Sequence, residues 1–175
     1  MNRLRFIFIS VVVLLTSGRA AAYDFESGGL YYNILDADAK TVELTLDGEK
    51  NGWDTQSSYT GSVVIPATVR NNGVTYSVTK VGEYAFCRSS ITSLTIQNGV
   101  EVIADYAFLY CSQLQEVSLP SSLSSIGYSA FFDCYNLMDL IVPEGVSKIG
   151  GQAFCYCSRI KTLELPSTLT EIGTT

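Results

Sequence analysis

Apolar and polar positions recur at a fixed step over most of the chain. Ala-Phe pairs stand at Ala85-Phe86, Ala107-Phe108, Ala130-Phe131 and Ala153-Phe154, at steps of 22, 23 and 23 residues. Four residues before each Ala lies an apolar residue followed by a small one: Val81-Gly82, Ile103-Ala104, Ile126-Gly127 and Ile149-Gly150. Ile172-Gly173 continues the step. Strand-like triplets keep the same period: Leu94-Thr95-Ile96, Val117-Ser118-Leu119, Leu140-Ile141-Val142 and Leu163-Glu164-Leu165. Pro120, Pro143 and Pro166 follow three of them. Val63-Val64-Ile65-Pro66 reads as one more copy, displaced by an insertion around Asn71-Asn72-Gly73. A unit this short cannot bury its own apolar side, so the period predicts stacked turns that share one core. In each triplet the first and third residues face inward, and successive triplets lie side by side as a parallel sheet. The small residue after Val or Ile is expected to let the chain bend. Phe fills the wide side of each turn, and the Ala before it lets neighbouring backbones approach. Pro closes each strand where its missing N–H does not harm the ladder.

Upstream the pattern changes. Gly28 to Leu35 and Thr41 to Leu46 read as two strands joined through residues 36–40. Asp47-Gly48 and Asn51-Gly52 read as turns, and Asn72-Gly73 as a hairpin tip before the strand Val74 to Val78. Residues 23–62 are therefore expected to form a β-rich N-terminal cap that hides the first open edge, and residues 63–175 the solenoid. The sequence stops at Thr174-Thr175, and the next Ala-Phe is due at the following two positions. The solenoid is thus expected to be truncated in mid-repeat, with Leu163, Leu165, Leu169 and Ile172 partly uncovered. At the other end, Arg3 and Arg5 precede the apolar run Phe6 to Leu15, and Ala20-Ala21-Ala22 follows. This is the form of a secretory signal peptide, residues 1–22, cleaved after Ala22. The run is shorter than the roughly 20 residues a span requires. The mature chain is expected to have no membrane span and to be secreted or displayed at the cell surface.

The repeat consensus is L-x-x-L-x-L-P-x-x-L-x-x-I-G-x-x-A-F-x-x-C. It resembles the leucine-rich repeats, and the stretch from Pro to Cys resembles the BspA-like bacterial subfamily. The resemblance covers about residues 60–175, and Tyr23-Asp24-Phe25 through Ile34 is similar to the lead-in of such proteins. It implies a β-rich leucine-rich repeat solenoid on an exported surface protein. It also implies a protein ligand, with members of the family implicated in binding host extracellular-matrix proteins and other cells. Members commonly bind through the outward residues of the strands. Here these are Thr95, Ser118, Ile141 and Glu164, flanked by Ser93, Glu116, Asp139 and Thr162.

Composition narrows the chemistry. The 175 residues include no His, which removes imidazole-dependent nucleophiles, His-ligated zinc and the usual proton shuttle. No catalytic motif, metal site or cofactor fingerprint is read from the sequence, and the expectation is a binding protein rather than an enzyme. A formal charge of -6 argues against nucleic acid as the partner. Cys111, Cys134 and Cys157 each fall three residues after a repeat Phe and should form one column. Columns of parallel turns are spaced about 4.8 Å, against about 3.8 Å between the Cβ atoms of a disulfide, so buried free thiols are expected. Cys87 and Cys155 share a second column, three turns apart. Asp36 with Asp38, and Glu116 with Asp139, read as solvated residues rather than catalytic or calcium-binding pairs. Tyr84, Tyr106, Tyr110, Tyr128, Tyr135 and Tyr156 cluster around the Ala-Phe segments, where interface and packing roles both remain open. Two alternatives to a protein-binding, adhesin-like function are a spacer that holds a further C-terminal region away from the cell, and an accessory module for glycans or an enzyme.

Overall fold

The computed structural model describes residues 23–48 and 54–174. The signal-peptide segment and the Asn51-Gly52 turn lie outside the described residues. Among the described residues there are strands and turns and no α-helix.

Two antiparallel hairpins begin the structure. β1 (Phe25–Ser27) turns at Gly28-Gly29 into β2 (Leu30–Asp36), which pairs antiparallel with β3 (Thr41–Thr45). The Asp36 side chain closes the second turn by accepting from the backbone N–H groups of Asp38 and Ala39 at 2.9 Å each. Asp36 therefore shapes a turn and forms no ligand pair with Asp38. β4 (Thr60–Ile65) and β5 (Thr68–Asn71) follow, and β5 pairs antiparallel with β6 (Val74–Val81). Asn72 at φ 48° and Gly73 at φ 83° form the tip. This is the turn that the right-handed twist of a two-residue hairpin favours.

From β6 onward the chain coils. One ladder carries the expected triplets: β7 (Ser90–Ile96), β9 (Glu116–Ser118), β11 (Asp139–Ile141) and β13 (Thr162–Glu164). β4, β7 and β9 form one parallel sheet, and β11 and β13 another. The expected continuous sheet is thus divided between β9 and β11. The backbone link there, Met138 N–H to Gln115 C=O, is 3.3 Å long, against 2.9 Å for the equivalent link from Lys161 N–H to Met138 C=O. Strands of three residues have few bonds to lose, and no backbone bond joins residues 116–118 to residues 139–141. Pro120, Pro143 and Pro166 do close the strands, and each accepts from the residue three positions on, as in Leu123 N–H to Pro120 C=O at 3.1 Å.

A second parallel ladder was not foreseen. β8 (Val102–Ile103), β10 (Ser125–Ile126), β12 (Lys148–Ile149) and β14 (Glu171–Ile172) stack beside β6, which pairs in turn with β3. β1, β2, β3 and β5 thereby join the same nine-stranded sheet. The small residues after Val or Ile have a reason other than the bend expected of them. Each donates its N–H to the previous turn, as Gly127 does to Ile103 at 2.8 Å and Gly150 to Ile126 at 2.8 Å. A Cβ on Gly150 would lie 2.4 Å from the Tyr128 nitrogen. The column is set by the close approach of two backbones, not by conformational freedom.

A third ladder runs through the Ala-Phe turns. Phe86, Phe108 and Phe131 donate their N–H groups forward to the next turn's Ala carbonyl at 2.7, 2.7 and 2.8 Å. Their rings form a stack, with Phe86–Phe108 at 5.1 Å, Phe108–Phe131 at 4.8 Å and Phe131–Phe154 at 5.5 Å between centroids. Tyr59 continues that stack at the N-terminal end, 4.7 Å from Phe86. At the other end Leu163, Leu165 and Ile172 are exposed.

The column cysteines are all unbridged. The thiols of Cys111, Cys134 and Cys157 donate to the carbonyls of Phe86, Phe108 and Phe131 in the preceding turn, at 2.9, 3.3 and 3.0 Å. Burial pushes the Cys87 thiol up to about 11 and raises Cys134 well above its ordinary value.

Three outcomes follow from this packing. Phe131 is fully buried between two rings, so Phe131→Ala is expected to cost about 3–5 kcal/mol in urea unfolding. A variant as stable as the parent would show that the ring stack does not support the fold. Tyr32 is fully buried, and its hydroxyl meets no partner among the described residues. Tyr32→Phe is therefore expected to raise stability by about 1 kcal/mol, measured as a shift of the urea midpoint at unchanged slope. Finally, a thiol whose pKa is raised by folding stabilises below its unfolded value and loses that contribution as pH rises. The urea midpoint should hold steady to about pH 8.5 and decline as pH rises toward about 11. A flat profile over that range would contradict the buried state of Cys87.

Candidate protein-binding face

The outward side of the triplet ladder is built by strand alternation. Leu94, Ile96, Leu140 and Val142 turn inward and are buried, so the residues between and before them point to solvent. The register joins Ser62 to Ser93 and Ser93 to Glu116 in one column, and Val64 to Thr95 and Thr95 to Ser118 in the next. After the break between β9 and β11, Asp139 pairs with Thr162 and Ile141 with Glu164. All eight residues expected on the face are on this one side, in two groups of four, and seven of them are exposed. Ser93 is half-buried, and its hydroxyl donates to that of Ser62 at 2.8 Å.

β4 adds Ser62 and Val64, which the sequence reading left out. The signal was available, since Val63-Val64-Ile65-Pro66 already read as a displaced repeat and its alternation puts Val64 outward. Two apolar side chains stand open among polar ones, Val64 at 53% and Ile141 at 64% exposure. Glu116, Asp139 and Glu164 give the face a negative character. Asp139 is also engaged in the fold, accepting from the Thr162 N–H at 3.0 Å. Like charges on adjacent turns are tolerable here because water screens them.

Other places with charge or thiols have less to offer. Beside the second ladder lies a groove of about 410 Å³ lined in part by Glu43, Lys80, Glu83, Asp105 and Lys148. Its Lys80 is paired with Glu43 at 2.9 Å. Among the described residues no group of His, Cys, Asp and Glu is placed to hold a metal ion. Also among the described residues, no helix is long and apolar enough to cross a membrane. The tyrosines gather on the Ala-Phe side. Tyr84 and Tyr106 stack at 4.9 Å, Tyr106 meets Tyr128 edge-on at 5.6 Å, and Arg88 lies 4.8 Å over the Tyr110 ring.

The stacked-turn geometry has counterparts among known proteins. Residues 79–175 match six copies of the BspA type leucine rich repeat region. The fold is similar to that of a leucine-rich repeat protein from Bacteroides capillosus, with a TM-score of 0.63 and 29% identity, over 86% of this chain and 97% of that one. It is also similar to a leucine rich cell surface protein from Faecalibacterium prausnitzii, with a TM-score of 0.60 and 26% identity, over 89% of this chain and 45% of that one. The pneumococcal vaccine antigen PcpA shares the fold at a TM-score of 0.64 and 17% identity, over 83% of this chain and 38% of that one. No curated protein matches the chain. Repeats of this kind generally serve as protein-interaction scaffolds and not as enzymes. With more than half of its residues accounted for by such repeats, the chain belongs to the BspA-type leucine-rich repeat family.

Proposed function

We propose that the protein is exported through a signal peptide cleaved after Ala22 and displayed at the cell surface. There it binds a protein ligand through the outward columns of its triplet ladder. The ligand class is a host extracellular-matrix protein or a protein on another bacterial cell, and the role is adhesion without catalysis. The observation that carries this reading is the exposure of Val64 and Ile141 on a face of short polar side chains and carboxylates. Apolar groups held on rigid strands lose little entropy when covered, and a polar rim keeps them soluble until then. The cell-surface description of the Faecalibacterium prausnitzii protein supports the location. Ser93, Thr95, Glu116, Ser118, Asp139, Ile141, Thr162 and Glu164 would then be contact residues, with Val64 added at the N-terminal margin.

The test uses the chain from Tyr23 onward, presented to immobilised purified matrix proteins and to whole bacterial cells. Saturable binding is expected. Ile141→Lys combined with Glu116→Lys should weaken it about tenfold or more, while the circular dichroism melt stays within the small range typical of surface changes. No saturable binding to any of these surfaces, or full binding by the double variant, would overturn the assignment of this face.

A further inference from the structure

The N-terminal strands cover the first edge of one ladder and not of the other. β1, β2 and β3 join the second ladder through β6, whereas the triplet ladder begins at β4, which pairs with β7 on one side only. On that side the Ile65 carbonyl accepts from the Gln97 N–H at 3.0 Å. Backbone groups alternate in direction along a strand, so those of Val63 also turn toward β7 and those of Ser62 and Val64 turn away. Two N–H and two C=O groups therefore stand on the free edge, with no partner among the described residues. An edge of this kind is a template for another strand. β1 and β5, which are also paired on one side only, lie beside each other instead.

The free edge faces a wall. The turn between β1 and β2, with Gly28 at φ 63° and Gly29 at φ 79°, bounds a groove of about 370 Å³ together with β4. A Cβ on either glycine would meet nothing within 4 Å, so the turn presents bare backbone with room around it. Tyr31, Tyr59 and Val63 line the groove, and the tyrosines are fixed there. The Tyr59 hydroxyl accepts from the Tyr31 N–H at 3.0 Å and donates to the Thr45 carbonyl at 2.9 Å.

Three features select the occupant. The first is the edge itself. Its donors and acceptors recur at every second residue, about 6.6 Å apart, which an extended polypeptide backbone matches. The second is length. Gly61 at φ 68° breaks the extended run and Pro66 follows it, so the open stretch at 62–64 is three residues long. Three residues are also enough for β9, β11 and β13 to hold their places in the ladder. The third is the apolar lining. Val63 points inward but is only half-buried, while Leu94 beside it in the register is 2% exposed. An apolar side chain turned inward from an added strand would cover Val63 as Val63 covers Leu94. Charge does not select the occupant. Beside the groove, Glu26 accepts from the Gly29 N–H at 3.1 Å and Asp47 from the Ser58 N–H at 3.1 Å, so both carboxylates are engaged in the fold.

We propose that the edge of β4 at Ser62 to Val64 takes up an extended polypeptide segment as an added strand, with alternate apolar residues turned onto Tyr31, Tyr59 and Val63. The partner is a protein that offers a short, exposed, extended segment. The site bonds to backbone at the margin of the sheet, and it stands whether or not the outward columns bind a ligand.

The probe is a short capped peptide in which Thr and Val alternate, titrated into the isotope-labelled chain from Tyr23 onward. Saturable shifts are expected at Ser62 and Val64 and in the facing turn at Gly28 and Gly29. None is expected at Ile141 or Glu164, so a failure of the outward columns to bind matrix protein leaves this result untouched. N-methylation of every second amide of the peptide blocks its bonds to β4 in one phase and alters only its far side in the other. One methylated peptide should therefore bind about as the parent peptide does, and the other at least tenfold more weakly. Val64→Pro removes an edge N–H that the fold does not use, and it should weaken the unmethylated peptide about tenfold. The methylated peptides are read on the parent protein, so the test holds even where Val64→Pro unfolds the chain. Equal binding by the two methylated peptides, no saturation at millimolar peptide, or shifts confined to the strand at Thr162–Glu164 would overturn the proposal.

Discussion

The structure depends on backbone hydrogen bonding from each turn to the next. No single turn encloses a core, so each repeat is stable only when its neighbours bond to it on several sides. Three ladders do this, and they differ in direction. Along the Val/Ile-small column each turn donates backward, as Gly127 N–H does to Ile103 C=O, whereas along the Ala-Phe column each turn donates forward, as Phe108 N–H does to Ala130 C=O. With a bond spacing of about 4.8 Å on every side, the interior can only be a set of like residues stacked on like. The Phe rings, the inward Leu and Ile residues and the column cysteines are consequences of that spacing.

The forward-donating ladder has a local cost. In every turn the residue before Ala and the residue two after Phe adopt positive φ without being glycine: Tyr84 and Arg88, Tyr106 and Tyr110, Ser129 and Asp133, Gln152 and Tyr156. Such a conformation costs on the order of 1 kcal/mol per residue. The N–H groups of Arg88, Tyr106, Tyr110, Ser129 and Asp133 recover bonds of 2.8–2.9 Å to the following turn, which offsets the strain and repeats it in register. The same conformation recurs at Tyr84 and Tyr106, whose rings stack at 4.9 Å, and at Tyr110 and Tyr156 on the other side of the Ala-Phe pair. Local strain and ring placement are therefore one feature of the turn.

The thiols show how the same spacing decides chemistry. The Cys placed three residues after a repeat Phe stays unbridged to its counterpart one turn away. It donates instead to the Phe carbonyl of the turn before. In the first repeat Ser89 takes that place, and its hydroxyl lies 3.4 Å from the Cys111 sulfur. The position asks for a small, weakly polar donor in an apolar setting, which a thiol supplies at lower desolvation cost than a hydroxyl.

The sequence by itself determined the coil, its 23-residue period, the inward residues, the hairpin at Asn72-Gly73 and the outward columns from Ser93 to Glu164. These are legible because each depends on residue type at a fixed separation along the chain, and solenoid contacts repeat at that same separation. Only the tertiary structure decided the second parallel ladder through Val102-Ile103 and its successors, the break between β9 and β11, and the joining of β3 to β6. It alone decided the positive φ values at Tyr106 and Tyr110. A two-residue strand such as Ser125–Ile126 has too few residues to show alternation, and it exists because its neighbours above and below bond to it. The glycine column was visible in the sequence, but its cause was not. A Cβ at Gly150 is excluded by the Tyr128 backbone 22 residues earlier, and such a distance appears only when the turns are stacked.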